Sequence, residues 1–260
     1  MKIANDLIKS DVQKWAFSMA FNGNVSNLLS IGNDAKTVKS LKVGVLTGIV
    51  YMSPANSSGH NVCPSMTKGC QAACLYTAGQ GIYDNVKAGR MRRTLQFIYR
   101  QDEFMARLAH EIDRLVVKAK ELGLIAAVRL NGTSDIAYED IAIGDYANIF
   151  AMFPNVAFYD YTKRYDRLEK CASIRNYHLT FSRAETKLSD SQAIKALDNG
   201  HPVTVVFSDS LPKTWHGYQV IDGDKHDFRV WDSGVVVGLK FKGSNANKAG
   251  AIESGFAIVP

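Results

Sequence analysis

Five apolar runs rich in β-branched and aromatic residues recur along the middle of the chain, and what separates them constrains the fold. They are LKVGVLTGIVYM at 41–52, IAAVRL at 125–130, VAFYDY at 156–161, YHLTF at 177–181 and VTVVF at 203–207. Their composition suits strands buried on both faces. The intervening segments have helical character. The clearest is 101–122, with Phe104, Leu108, Ile112, Leu115, Val116 and Leu122 on one stripe, Asp102 as N-cap and Gly123 as stop. Further helices are expected within 138–151, 164–174 and 189–198. A parallel strand needs a long crossover, so this alternation predicts parallel βαβ units.

The expected fold class is α/β: a partial or complete (β/α) barrel of mainly parallel strands, with an irregular N-terminal cap and a C-terminal β-hairpin extension. One domain over 1–260 divides into a helical and loop-rich cap at 1–40, a βα core at 41–210 and a β-rich extension at 211–260. In the extension YQVIDGD, DFRVWD and VVVGLKFKG follow one another with only turns between, and Asp222-Gly223 is a hairpin signal.

A hydrophobic fraction of 46% and a charged fraction of 22% are ordinary for a globular chain. No apolar run approaches the roughly 20 residues of a spanning helix, so no membrane role is expected. The opening MKIANDLIKSDVQKWAFSM is amphipathic, carries acids and lacks the pattern of a secretory signal, which points to the cytoplasm. In that reducing compartment the four cysteines read as ligands or reactive thiols rather than as disulfides.

Three of them share the loop after the first strong strand, as Cys63-x6-Cys70-x3-Cys74 with His60 just upstream. Thiolates suit zinc and iron–sulfur clusters. Structural zinc sites use short paired knuckles, and the first gap here is long for that pattern. Gaps of six and three residues with Gly59, Pro64 and Gly69 suit wrapping a larger [4Fe-4S] cubane. Zinc, or three uncoordinated thiols, are the alternatives. Three cysteines leave one iron without protein sulfur. Cys171, late in a helix, reads as a core residue, and His60 as a ligand or a surface hydrogen-bonding group. An open iron would take substrate, cofactor or a small ligand.

Polar residues gather where the strands end: Ser134 and Asp135 after 125–130, Thr162, Lys163 and Arg164 after 156–161, Ser182, Arg183 and Glu185 after 177–181, Ser208 and Asp209 after 203–207. In parallel α/β folds such ends share one mouth, where ligands bind. Asp135, Lys163 and Arg183 are the catalytic candidates. Ser134, Asp135, Thr162, Lys163, Ser182 and Arg183 are the candidate binding residues, and Cys63, Cys70 and Cys74 the metal ligands. Turn formers also end strands for purely local reasons. A net charge of +6 permits attraction to anions or nucleic acid. Much of it lies in Lys87, Arg90, Arg92, Arg93 and Arg100, which form either a phosphate-binding face or a solvated one. Asp222, Asp224, His226, Asp227 and Asp232 read as a turn with charged edges, from which Asp224 and Arg229 reach toward the site.

Taken in order, NVCPSMTKGCQAACLYTAG, VRLNGTSD, FYDYTKR and LTFSRAE resemble an uncharacterised phage family, that of gene product eighty-eight, over roughly residues 40–242. The resemblance implies phage origin, and with it the cytoplasm of an infected bacterial host, but no activity. The matching positions are Cys63, Cys70 and Cys74, then Ser134-Asp135, Tyr161-Thr162-Lys163 and Ser182. The placement of a three-cysteine loop after the first strand is also similar to radical S-adenosylmethionine barrels, which makes that cofactor a candidate. The x6-x3 spacing departs from theirs, and Asn131-Gly132-Thr133 stands where they carry Gly-Gly-Glu. Three functions are expected to compete: a [4Fe-4S] enzyme with an anionic or other small-molecule ligand at the open iron, a nucleic-acid-binding phage protein with a structural zinc or cluster, and a non-catalytic redox or iron–sulfur sensor.

Overall fold

The computed structural model describes residues 27–32, 34–74 and 79–260. Most of the expected cap at 1–40 therefore lies outside the described residues, as do residues 75–78 just after Cys74. The described strands are β1 (Leu29–Ile31), β2 (Val45–Val50), β3 (Ile125–Arg129), β4 (Ala157–Thr162), β5 (Tyr177–Ser182), β6 (Val203–Phe207), β7 (Thr214–Trp215), β8 (Tyr218–Asp222), β9 (Val236–Lys240) and β10 (Ala257–Ile258). The helices are α1 (Ala35–Leu41), α2 (Lys68–Ala72), α3 (Asp84–Tyr99), α4 (Gln101–Glu121), α5 (Ile149–Met152), α6 (Tyr165–Cys171), α7 (Lys187–Asp198) and α8 (Asn245–Glu253).

All ten strands belong to one sheet, in the order β1-β2-β3-β4-β5-β6-β9-β8-β7. From β2 to β8 every neighbouring pair is parallel, and only β1 and β7 run against their neighbours. β10 pairs with Val206 and Phe207 of β6, beyond Val203 and Thr204 where β5 pairs. The described β1 and β7 are the two ends of this order, so the sheet is open and the closed form of the expected barrel is not observed.

One sheet face carries Leu46, Val50, Val128, Phe158, Phe181, Val203, Val205 and Phe207 into the main core. There α4 contributes Phe104, Leu108, Ile112 and Leu115, each buried side chain adding about 1.5–3 kcal/mol. Val116 is only partly buried and Leu122 is exposed, since the stripe ends before the last turn. The opposite face packs Val45, Ala127 and Tyr159 against Phe228, from the segment linking β8 to β9.

Two local expectations are corrected. Residues 138–151 do not form one helix: a 3-10 turn at Tyr138–Asp140 and the single turn of α5 flank a tight loop. In that loop Ile143 and Tyr146 exchange backbone hydrogen bonds around Gly144 at φ 53°. The C-terminal hairpin does not turn at Asp222-Gly223. It turns at His216 (φ 48°) and Gly217 (φ 85°), the two left-handed positions of a tight hairpin between β7 and β8. β8 and β9 are instead parallel, and DFRVWD forms no strand but crosses beneath the sheet.

At the outer face of β4 sits a fully buried guanidinium, that of Arg167 on α6. It donates from Nη1 to Asp135 (2.5 Å), from Nε and Nη2 to the two oxygens of Glu139 (both 2.7 Å), and from Nη2 to the Tyr177 hydroxyl (2.9 Å). Tyr177 passes the chain on to Asp160. The loop after β3 is thereby tied to β4, β5 and α6. Removing one partner of a buried ion network typically costs about 3–5 kcal/mol, because charges are left uncompensated. Arg167→Met is expected to lower stability by about that much in urea unfolding without altering the denaturant slope. A loss below about 1 kcal/mol, the range of exposed pairs, would contradict this role.

Candidate functional site

The carboxyl ends of β2, β3, β4, β5, β6, β8 and β9 surround a cavity of about 670 Å³. Cys63, Cys70 and Cys74 all line it, together with Ser134, Asp135, Lys163 and Ser182. The cysteine loop reaches this position by hydrogen bonds to its neighbours. Thr133 donates from Oγ1 to the Met52 carbonyl (2.5 Å), Asp135 from its backbone N–H to Val62 (2.8 Å), and the Cys63 thiol to the Thr133 carbonyl (3.6 Å). Gly132 makes this zipper possible: a Cβ there would stand 2.7 Å from the Val50 carbonyl and the side chains of Ile49 and Tyr51.

Cys70 rides on α2, whose N-cap Thr67 accepts from the Cys70 N–H. Glu185, beyond β5, grips the start of this helix, accepting from the Thr67 hydroxyl (2.7 Å) and the Gly69 N–H (2.8 Å). Burial works against the Glu185 charge, yet these hydrogen bonds outweigh it and hold the carboxyl below its ordinary value. Gly69 leaves room for this grip, since a Cβ there would lie 2.8 Å from the carboxylate and push it aside.

The Cys63 thiol is pushed up to about 12, chiefly by burial and in smaller part by charge on Cys70 and Cys74. Burial likewise raises Cys70, against which Lys163 works. Among the described residues no three His, Cys, Asp or Glu side chains are gathered tightly enough to hold a metal ion as they stand. The donor chemistry nonetheless suits one: three thiols of one loop line one cavity, and charge on Cys70 or Cys74 opposes ionisation of Cys63. A bound cationic centre relieves that opposition and takes the place of the protons. The residues fit a thiolate-held group.

The other sequence-derived candidates separate. Asp135 is saturated by Arg167, by the Thr162 hydroxyl (2.8 Å) and by the Lys163 N–H (2.9 Å), so it positions the loop rather than offering a free carboxylate. Thr162 does not line the cavity, and its hydroxyl is given to Asp135. Lys163 extends its ammonium to the Ser182 hydroxyl and to the carbonyls of Ser182 and Arg183. Burial pulls its pKa down, while Cys70 and Asp135 pull it up. Arg183 turns away to Asp190 and the carbonyls of Gly255 and Phe256, which anchors the chain entering β10. His60 bonds to the Tyr99 hydroxyl (2.9 Å) and does not line the cavity. Cys171 is buried in the main core on α6, also outside it.

The basic segment, now α3 and the residue after it, is engaged partly inside the fold and partly in surface ion pairs. Arg90 lies over the Tyr51 ring, Arg93 donates to the carbonyls of Asn27 and Tyr51, Lys87 pairs with Asp84, and Arg100 pairs with Glu103. A different cationic group was missed in the sequence: Lys36 and Lys39 on α1, Arg129 at the end of β3, Lys240 at the end of β9 and Lys242 just after it, all lining the cavity. Arg129 gives Nη1 to both oxygens of Asp227 (3.0 and 2.9 Å), and Tyr159 donates to the same carboxylate (3.2 Å). Asp224 lines the cavity as expected, whereas Arg229 is buried behind it against His226. An arginine closing an otherwise apolar strand was a visible signal. Lys36 and Lys39 gave none, because only folding brings α1 over the sheet.

Among the described residues no helix is long and apolar enough to cross a membrane. The family model described as Gene product 88 matches residues 27–257. No curated protein and no solved structure matches the chain.

Lys36 provides a test of this electrostatic arrangement. Burial, then the neighbouring Arg129, lower its pKa from 10.5 to about 8, against the pull of Asp227. Between these values the unfolded chain holds the proton that the folded chain has released. The Lys36 contribution to stability therefore rises with pH across that window and is lost as pH falls back through about 8. NMR of lysine side chains is expected to show one ammonium titrating near pH 8 that disappears in Lys36→Met. Ordinary titration by every lysine would contradict the arrangement.

Proposed function

The chain belongs to the phage Gene product 88 family, matched over residues 27–257, and from that premise we propose that it is an iron–sulfur protein whose cluster faces a ligand cavity. Cys63, Cys70 and Cys74 would hold a [4Fe-4S] cluster, leaving one iron open toward the cavity. When bound, such a cluster supplies one-electron chemistry and a Lewis-acidic iron. The observation that carries this reading is that three thiols from one loop line a single cavity, with the Lys163 ammonium close to Cys70.

The chain's own residues do the rest. Glu185 fixes the helix carrying Cys70, and the Thr133–Asp135 loop fixes the strand side of Cys63. Lys163 balances thiolate charge at Cys70. The lysines and Arg129 that line the same cavity would attract an anionic small molecule, which suits an enzyme better than an electron carrier. S-adenosylmethionine has less support as that molecule. Gly132 packs against β2, and the Asn131 side chain is committed to Ser134, Ile136 and Asp160. The nucleic-acid reading loses its main surface to the internal contacts of Arg90 and Arg93. The site of action we propose is the cytoplasm of an infected bacterium.

Anaerobic purification is expected to yield a brown protein with about four iron and four sulfide per chain. Cys63→Ala and Cys74→Ala should lose both, while Cys171→Ala and His60→Ala keep them. A colourless wild type with stoichiometric zinc would overturn the proposal, and loss of iron in Cys171→Ala would overturn the three-ligand assignment.

A further inference from the structure

Most apolar side chains of the sheet are spent on a core, but a group at the β6 end of the cavity is not. β6 is an interior strand, paired with β5 at Val203 and Thr204, with β10 at Val206 and Phe207, and with β9 throughout. Thr204 and Val206 alternate onto the face that lines the cavity, and Leu239, the partner of Val206 on β9, lines it beside them. Neighbouring strands lie about 4.8 Å apart and same-face residues about 6.6 Å apart along one strand, so these three side chains are mutual neighbours. Phe241 stays next to β6 by donating its N–H to the Phe207 carbonyl (2.8 Å), and Phe256 comes just before Ala257, the partner of Val206 on β10. Both rings line the cavity. Val206, Leu239 and Phe241 are only partly buried, and none of the four apolar residues belongs to the main core or to the one around Phe228. Gly223, at the end of β8, leaves this patch uncovered on its side: a Cβ there would stand 2.5 Å from Val237 and 2.9 Å from Leu239.

One polar atom sits within this apolar patch. Thr204 is 4% exposed, and its hydroxyl has no hydrogen-bond partner among the described residues. The hydroxyl of Ser182, its neighbour across the pairing with β5, already accepts from the Lys163 ammonium (3.1 Å). A buried hydroxyl without a partner is costly, and so is apolar surface left against water. A ring that carries one hydrogen-bonding group relieves both.

We propose that the β6 end of the cavity binds the aromatic ring of a small-molecule ligand, with the ring against Val206, Leu239, Phe241 and Phe256 and the Thr204 hydroxyl bonded to a polar atom that the ring carries. A ring suits the patch better than an alkyl chain, because two phenylalanines offer it edge-to-face or offset contacts in addition to buried area. The cavity of about 670 Å³ is of the size that encloses a drug-sized molecule, so the ring is one part of the ligand. The inference rests on the reading of this cavity as a ligand site and names the class of that ligand, and its test needs no metal.

The test is binding of benzamide to the full chain as purified, followed through the methyl NMR signals of Val206 and Leu239. Cyclohexanecarboxamide carries the same amide on a saturated ring, and acetamide carries it on none. Benzamide is expected to shift both sets of methyl signals saturably, with a dissociation constant on the order of millimolar or lower. Cyclohexanecarboxamide should bind at least about threefold more weakly, and acetamide should not saturate. Thr204→Val and Phe241→Ala should each weaken benzamide by about fivefold or more. Phe241 belongs to neither core, so its variant keeps the test decisive even if Thr204→Val fails to fold. Cys63→Ala should bind benzamide as wild type does. Absence of saturable binding, equal binding of cyclohexanecarboxamide, or indifference to both substitutions would overturn the subsite. Benzamide binding by a wild-type protein that holds no iron would leave the subsite standing and remove the cluster, whereas an iron-loaded protein that ignores benzamide would remove the subsite alone.

Discussion

The architecture of the cavity depends on one buried guanidinium. Arg167 emerges from α6 on the outer face of the sheet and bonds Asp135, Glu139 and Tyr177 at once. With its charge answered there, Asp135 can spend its backbone N–H on Val62, immediately before the first cysteine. The cysteine loop is thus placed through Asp135, which belongs to that network and also lines the cavity. A charge network of this kind adds little net stability over an apolar core of equal volume, but it tolerates few alternative arrangements. Its value is the fixed position of the loop after β3.

A second constraint is how the chain closes over the inner face of the sheet. The segment after β8 passes under the strands, where Phe228 packs on Tyr159 and Asp227 meets Arg129. With α1, this gathers cationic side chains around the cavity that the three cysteines also line. The pairing of β10 with β6, secured by Arg183 holding Gly255 and Phe256, brings Phe256 to the cavity and under the Lys163 ammonium. The cysteine loop and the cationic side chains therefore come from distant parts of the chain and meet at the carboxyl ends of the strands.

Much of this was legible in the sequence where one local rule acts alone. The strands at 125–130, 156–161, 177–181 and 203–207 and the helix at 101–122 follow from composition and period, and the gathering of Cys63, Ser134, Asp135, Lys163 and Ser182 follows from parallel topology. What the sequence hid was hidden for physical reasons. Asp135 and Arg183 both follow strands, yet the partners that hold their side chains, Arg167 and Gly255, come from distant or unremarkable positions. Asp222-Gly223 resembles a hairpin turn, but His216-Gly217 had already reversed the chain. Lys36 becomes part of the cavity only through a long-range contact that no periodicity encodes.

The central claim is that the three cysteines hold a four-iron cluster with one iron lacking protein sulfur. Mössbauer spectroscopy of the iron-57-loaded protein, before and after a small exogenous thiolate is added, tests it most directly. The expected result is that about one iron in four changes its environment on addition while the rest keep theirs. Four irons that all stay unchanged, or a thiol site filled by zinc, would contradict it.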